Sequence, residues 1–279
     1  MNDFHKLRTE QRNPATTHID RVGTAEMLRM MQEANRRSVE AVGEALDAVG
    51  AAVDAAAEAL ARGGRILYVG AGTSGRLAVQ DAAECPPTFG VDPGTVTALI
   101  AGGPGAVFRA VEQVEDSAEA GRADLAALNP SPADFVVGVS ASGNAPYVAA
   151  ALACARGRGC RTAAIASNRA CRLAEVADIF IFTDTGPEVI TGSTRLKAGN
   201  AQKMVLNMIS TGAMVKTGKV YENLMVNLRP TNAKLRRRMV GIVRDIAGVG
   251  EEAALAALEA NGFVIRDAVA ALEKDRPPQ

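Results

Sequence analysis

Tryptophan is absent from this 279-residue chain, and histidine is limited to His5 and His18, both near the N-terminus. That scarcity argues against a histidine-built zinc site or catalytic triad inside the fold. Aromatics make up only 4% of residues against 48% hydrophobic overall, so the chain can bury a sizeable core, but an aliphatic one. Charge of either sign is not in excess: 31 Lys and Arg face 31 Asp and Glu, for a formal net charge of zero. Nothing in that balance points to nucleic acid or a membrane surface, and the short run Arg236-Arg237-Arg238 reads as a solvated helix face. No stretch resembles a signal peptide or a spanning helix, which places the chain in the cytoplasm. The four cysteines, Cys85, Cys154, Cys160 and Cys171, show no C-x-x-C spacing. They read as reduced, mostly buried small apolar residues, not as metal ligands or disulfides.

What the chain does have is Arg65–Cys85, RILYVGAGTSGRLAVQDAAEC. The apolar run Ile66–Val69 ends at Gly70, then come Ala71, Gly72, Thr73, Ser74 and Gly75, then a helical pattern from Arg76 carrying Asp81 and Glu84. This is strand, glycine-rich turn and helix N-terminus. Backbone N–H groups there can approach a ligand closely, and the helix dipole favours an anion. The letters fit the dinucleotide fingerprint G-x-G-x-x-G, but the acidic residue due roughly 20 residues on would fall in the loop Pro86–Gly90, before the next strand. No Gly-Lys-Ser/Thr follows, so the Walker pattern is absent. Two hydroxyls at a helix start suit a terminal phosphate monoester better than a bridging pyrophosphate. A tight turn with no ligand is the competing reading.

Strands are expected at Ile66–Val69, Val96–Ile100, Phe135–Val139, Thr162–Ala166 and Ile179–Phe182. Helices are expected at Leu77–Glu84, stopped by Pro86-Pro87; at Ala106–Val114; from an N-cap at Ser117 to Leu128; at Pro146–Ala155; and at Leu196–Lys216. Short continuous apolar runs alternating with helices argue an α/β fold, a doubly wound five-stranded parallel sheet covered on both faces. Ligands of such sheets bind beyond the carboxyl ends of the strands. The loops after the first and third strands, the latter Ser140-Ala141-Ser142-Gly143-Asn144, both lie at such ends.

The polar arm at residues 1–24 carries Thr9, Glu10, Arg12, Asn13 and His18. It is either a frayed terminus or a segment that docks into a site. Residues 25–62, from a possible N-cap at Thr24 to Gly63-Gly64, form a helical hairpin or one long helix; residues 63–218 hold the sheet domain; residues 219–279 form a helical extension. In that extension Asn223, Asn227 and Asn232 have no clear role, two short helices flank Asn261-Gly262, and residues 275–279 read as frayed. The segment VITGSTRLKAGNAQK at 189–203 is either a capped structural helix or a second ligand loop, with Lys197 or Arg195 as its cation.

The loops VGAGTSGRL and VGVSASGN resemble those of the sugar isomerase (SIS) fold, which binds phosphosugars with Ser/Thr-rich loops. More narrowly, TEQRNP at 9–14, GAGTSGRL at 70–77, DAAECPPTFG at 81–90, LIAGG at 99–103, EDS at 115–117 and TGSTRLKAG at 191–199 resemble the N-acetylmuramic acid 6-phosphate etherases. Glucokinase regulatory proteins share the relationship and are not enzymes. The resemblance implies cleavage of the lactyl ether to N-acetylglucosamine 6-phosphate and D-lactate, in cell-wall sugar recycling. It implies Glu84, in ECPP, and Glu115, in EDS, as the functional acids. It implies a phosphate on Gly72, Thr73, Ser74 and Gly75 and on Ser140, Ser142 and Gly143, with Lys197 as a further cation. Neutral donors suffice for a dianion when numerous and shielded from water. No metal or redox cofactor is implied, and related folds that build sites between subunits make a homodimer the expected assembly.

The chain departs from the family pattern twice. Asn144-Ala145 stands where Arg-Thr is common, and the C-terminal helical region stops early. Two other functions share the loops. A phosphosugar-binding regulator would need neither glutamate. An aldose–ketose isomerase often uses a histidine, which here only His18 could supply, from a docked arm.

Overall fold

The computed structural model describes residues 7–228, 230 and 233–274; His5, Asn232 and the tail 275–279 lie outside the described residues. The described chain packs as two compact units. One contains the residues up to Ala83 together with Gly94–Ala213, the other Glu84–Pro93 together with the residues from Met214 on.

The arm of the first unit is ordered into three single 3₁₀ turns and docks. The Arg8 N–H donates to Asn168 Oδ1, and Asn168 Nδ2 donates to Thr9 Oγ1. Thr16 donates to the Val189 carbonyl, and Arg8 pairs with Asp184 at 3.0 Å. Thr9 and Thr16 are buried. Two helices follow, α1 (Thr24–Gly43) and α2 (Leu46–Ala61), separated by a break at Glu44-Ala45. Thr24 is the first helical residue and not the cap; the Gly23 carbonyl takes the first bonds.

The sheet is five-stranded and parallel in the order β2-β1-β3-β4-β5: β1 (Ile66–Gly70), β2 (Val96–Ile100), β3 (Phe135–Val139), β4 (Arg161–Ala166) and β5 (Ile179–Phe182). Central β1 and β3 are buried at every position, as two covered faces require. The edge strands β2 and β5 keep half-buried positions. The connecting helices are α3 (Gly72–Phe89), α4 (Gly105–Phe108), α5 (Ala118–Ala127), α6 (Pro146–Gly157), α7 (Arg172–Val176) and α8 (Lys197–Lys216). Cys160 and Cys171 pack in this core as small apolar residues, and burial pushes the Cys160 thiol up to about 11.

Asp134 ties the starts of β1 and β3 together. Its buried carboxylate accepts from the Arg65 backbone N–H, from the Arg65 guanidinium at 2.8 Å and from the Ser131 N–H. Burial opposes its charge, but these donors win and hold its pKa below the ordinary carboxylate value. The unfolded chain, with an Asp pKa of about 3.9, therefore takes up this proton first. The stabilisation is complete above about pH 5 and drains away as the pH falls through the folded-state value. Asp134→Ala is expected to cost about 2–3 kcal/mol at pH 7, the Arg65 end of the pair being partly solvated. Denaturant titration at pH 7 and at pH 3 checks this; the difference between the two proteins should shrink at the lower pH.

Two expected elements differ from those observed. Pro86 and Pro87 do not stop α3, which runs across them to Phe89. The helix closes at Gly90 instead, whose N–H bonds the Pro86 carbonyl from a left-handed conformation at φ 66°. The helix expected at Ala106–Val114 ends at Phe108. The Arg76 guanidinium takes the carbonyls of Val107 and Arg109, which a continuing helix would have used four residues on. Arg109 is extended, and Gln113 sits at φ 65°.

In the second unit, α9 (Ala233–Ala247), α10 (Glu251–Ala260) and α11 (Ile265–Lys274) enclose a small core of Met239, Ile242, Val243, Ala254, Leu258 and Ile265. Arg236, Arg237 and Arg238 lie exposed on α9, as their run implied.

Candidate functional site

In a sheet ordered β2-β1-β3-β4-β5 the connections from β1 and β3 diverge to opposite faces, and the crevice between their carboxyl ends is where open α/β sheets take ligands. The register brings Gly70 beside Val139, so the two loops leave the sheet from adjacent positions. Every residue named for phosphate except Lys197 lies on those two loops.

The first loop is forced tight by its glycines. A Cβ on Gly70 would stand 2.7 Å from the Gly75 backbone nitrogen and 2.9 Å from the Ser74 carbonyl carbon. Gly72 has φ 54°. The Gly75 N–H is spent on the Ala71 carbonyl at 3.2 Å, so Gly75 serves the close turn and is not itself an open donor. The N–H groups ahead of it, in the first turn of α3, have no acceptor within the helix. Thr73 is half-buried; Ser74 is buried and donates its hydroxyl to Gln202 Oε1 at 2.9 Å.

The second loop is braced from within. Ser140 Oγ accepts from the Gly143 N–H and Ser142 Oγ from the Asn144 N–H, both at 3.2 Å. The two hydroxyls also lie 3.4 Å apart, so one donates to the other and the pair leaves one hydrogen for another acceptor. Gly143 has φ 71°, and a Cβ there would meet Cys171 Sγ at 2.4 Å. Asn144 bridges this loop to α7: its Nδ2 donates to the Ser142 carbonyl and its Oδ1 accepts from the Arg172 N–H. Asn168 donates to the Ala141 and Ser142 carbonyls from behind.

Lys197 opens α8, and its ammonium is buried and donates to the Thr185 carbonyl at 2.7 Å. Burial lowers its pKa, with Glu188 and Asp184 pulling it back up and Arg37 adding to the fall. Glu188, fully buried, caps α8 by accepting from the Lys197 and Ala198 N–H groups, and desolvation raises its pKa. Lys197 also borders a cavity of about 550 Å³ with Asn13, Thr16, Arg29 and Arg36. Its contacts are those of a helix anchor.

Glu84 lies on α3 and Glu115 in the 3₁₀ turn Val114–Asp116, just ahead of the Ser117 cap of α5. Both are exposed, and neither makes a side-chain hydrogen bond or ion pair among the described residues. Asp81, one turn before Glu84, is different. It is buried and accepts from Tyr68, Asn207 and Ser210, which pins α3 to β1 and α8; burial raises its pKa.

Sequence reasoning did not single out Gln202, Asn168, Glu188 or Asn207. Gln202 and Asn207 act across long stretches of chain, and no local spacing signals them. Glu188 caps a helix that begins nine residues on, beyond the usual capping spacing. Asn168 follows β4, at the same end of the sheet as the loops, and its position alone could have flagged it.

A family model described as the glucokinase regulatory protein N-terminal SIS domain matches residues 48–156. The chain is 54% identical to the N-acetylmuramic acid 6-phosphate etherase of Cronobacter sakazakii, covering 94% of this chain and 89% of that one. It is 53% identical to the etherase of Serratia proteamaculans over the same shares. Among solved structures, a phosphoheptose isomerase from Francisella tularensis superposes with a TM-score of 0.52 at 16% identity, over 69% of this chain and 98% of that one. A phosphoheptose isomerase from Neisseria gonorrhoeae gives 0.50 at 20%, over 66% and 98%. At those identities the solved structures bear on the fold alone, the doubly wound SIS-type sheet.

Proposed function

This chain belongs to the N-acetylmuramic acid 6-phosphate etherase family, and we propose that it cleaves the D-lactyl ether of N-acetylmuramic acid 6-phosphate, releasing D-lactate and N-acetylglucosamine 6-phosphate in cell-wall amino sugar recycling. The observation that carries this reading is the pair of donor-lined loops leaving adjacent positions of β1 and β3 at the switch point of the sheet. The Ser140–Ser142 hydroxyl pair, Thr73, and the first-turn N–H groups from Gly72 on are the phosphate donors. Gly75 and Gly143 let the two turns close against Ile100 and Cys171, where a Cβ would collide. Lys197 contributes positive potential from its buried position; direct contact would require it to leave the Thr185 carbonyl.

The chemistry asks for an acid and a base. An ether oxygen at carbon 3 is a poor leaving group, but carbon 2 lies next to the aldehyde of the open-chain sugar and its proton is acidified. Glu115 takes that proton, and Glu84 protonates the departing lactate oxygen. The carbon 2–carbon 3 double bond then accepts water at carbon 3, activated by Glu84, while the proton returns to carbon 2. Atoms balance: one water in, one lactate out. The two carboxylates need different proton affinities for these roles. In the isolated chain both are exposed, so the bound sugar and a second copy of the chain provide that difference; the working form is a homodimer in the cytoplasm.

Incubation with the muramic sugar phosphate, followed by assay for D-lactate, tests the reading. Ketose formation from a sugar phosphate would instead indicate an isomerase, and binding without turnover a regulator.

A further inference from the structure

We propose that Gln202 is a positioning residue that sets the direction of the Ser74 hydroxyl and turns it towards the sugar phosphate; this rests on the phosphosugar reading of the loops. Three observations carry it. Ser74 is a hydroxyl of the glycine turn whose hydrogen is committed elsewhere, donated to Gln202 Oε1 at 2.9 Å. In that arrangement Ser74 shows a ligand only lone pairs, which repel a phosphate dianion. Ser140 and Ser142 instead accept from their own loop and bond each other at 3.4 Å, which leaves one hydroxyl hydrogen of the pair for a ligand.

Gln202 is 1% exposed, and its Nε2 is buried with no hydrogen-bond partner. Buried amide donors are rarely left unmade, so this orientation is poorly satisfied. The surrounding packing is close. Gly199, one turn earlier on α8, lies so near the turn that a Cβ would stand 3.6 Å from Thr73 Cγ2 and 3.8 Å from Leu77 Cδ1. The Gln202 side chain is therefore held against the start of α3.

The two ends of an amide are nearly the same size, so a half-turn about its last torsion fits the same space. After that turn Nε2 donates to Ser74 Oγ, and the Ser74 hydrogen is released to the phosphate. The atom left without a partner is then a carbonyl oxygen, which proteins tolerate better than an orphaned N–H. The arriving dianion drives the reversal by offering a strong acceptor to Ser74. Gln202 acts through Ser74 and touches no reacting atom.

A double-mutant cycle tests this, read as the Kd of N-acetylglucosamine 6-phosphate by calorimetry on the full chain. Gln202→Met keeps the volume and removes the hydrogen bonding. It is expected to raise Kd about tenfold, as is Ser74→Ala, and the double variant should be no weaker than Ser74→Ala alone, because residues acting as a unit are not additive. A purely structural Gln202 would instead lower the melting temperature and multiply with Ser74→Ala. Gln202→Glu, which can only accept from Ser74 and adds charge, is expected to bind more weakly than Gln202→Met, and replaces it if the latter does not fold. Unchanged Kd in the Gln202 variants, or effects that multiply in the double variant, would overturn the proposal. Failure of the unsubstituted chain to bind the sugar phosphate would overturn the phosphosugar reading and this proposal with it.

Discussion

Glu84→Gln and Glu115→Gln are each expected to lower D-lactate release by about a thousandfold, a general acid or base being worth about 10²–10⁴ in rate. Both carboxylates are exposed and unpaired among the described residues, so neither holds the fold. The melting temperature should accordingly stay within about 1 °C, exposed substitutions of this kind costing at most about 0.5 kcal/mol. Binding of N-acetylglucosamine 6-phosphate should persist in both variants, because the phosphate donors lie elsewhere on the chain. The two variants should part company in deuterium oxide. If Glu115 removes the carbon 2 proton, Glu115→Gln abolishes exchange there. Glu84→Gln retains exchange but strands the intermediate before lactate leaves. Exchange that survives in Glu115→Gln would refute the assignment of base to Glu115.

Gly70→Ala should have the next largest effect, on stability and binding together. The added methyl would lie 2.7 Å from one backbone atom and 2.8 Å from another, and backbone has no rotamer into which it can retreat. Either the turn opens or β1 shifts against β2 and β3, to which Gly70 is paired on both sides. Overpacking of this kind costs about 1–3 kcal/mol. For a chain of this size that is a fall of about 3–10 °C in melting temperature. Opening the turn also moves the Thr73 and Ser74 donors, so the sugar phosphate Kd should rise by at least about tenfold. Gly72→Ala makes the control. Gly72 has φ 54° but open space around its Cβ, so it should lose stability by about 1 kcal/mol without displacing the turn.

The parts of the fold that were legible are those where burial dictates residue type locally. Ile66–Val69 and Phe135–Val139 had to be continuous apolar runs because their strands are covered on both faces, and they stand where the letters place them. Ser117 caps α5 by accepting from the Ala120 N–H, a contact three residues long that sequence spacing can carry. What was not legible depended on distant chain. The helix expected at Ala106–Val114 is cut short by a guanidinium from Arg76, about thirty residues earlier. The reach of α3 through Pro86-Pro87 to a glycine closure at Gly90 runs against the local rule that proline ends a helix. The docked arm is fixed by Asn168 and Val189, far along the chain.

The same division runs through the site. The two glycine- and serine-rich loops announce themselves by composition. The residues that orient them do not: Asn144 could be seen only as a departure from a family pattern, and its brace to α7 is tertiary. Gln202 sits in an unremarkable stretch of α8, and only the fold places it against Ser74.

The most direct test of the elimination account is the fate of isotopes in one turnover. N-acetylmuramic acid 6-phosphate incubated with the full chain in H₂¹⁸O and deuterium oxide should give N-acetylglucosamine 6-phosphate carrying ¹⁸O at carbon 3 and deuterium at carbon 2, with unlabelled oxygen in the D-lactate hydroxyl. Product with ¹⁸O in the lactate and hydrogen retained at carbon 2 would mean the ether was broken on its lactyl side, and the assignment of an acid and a base to Glu84 and Glu115 would fail.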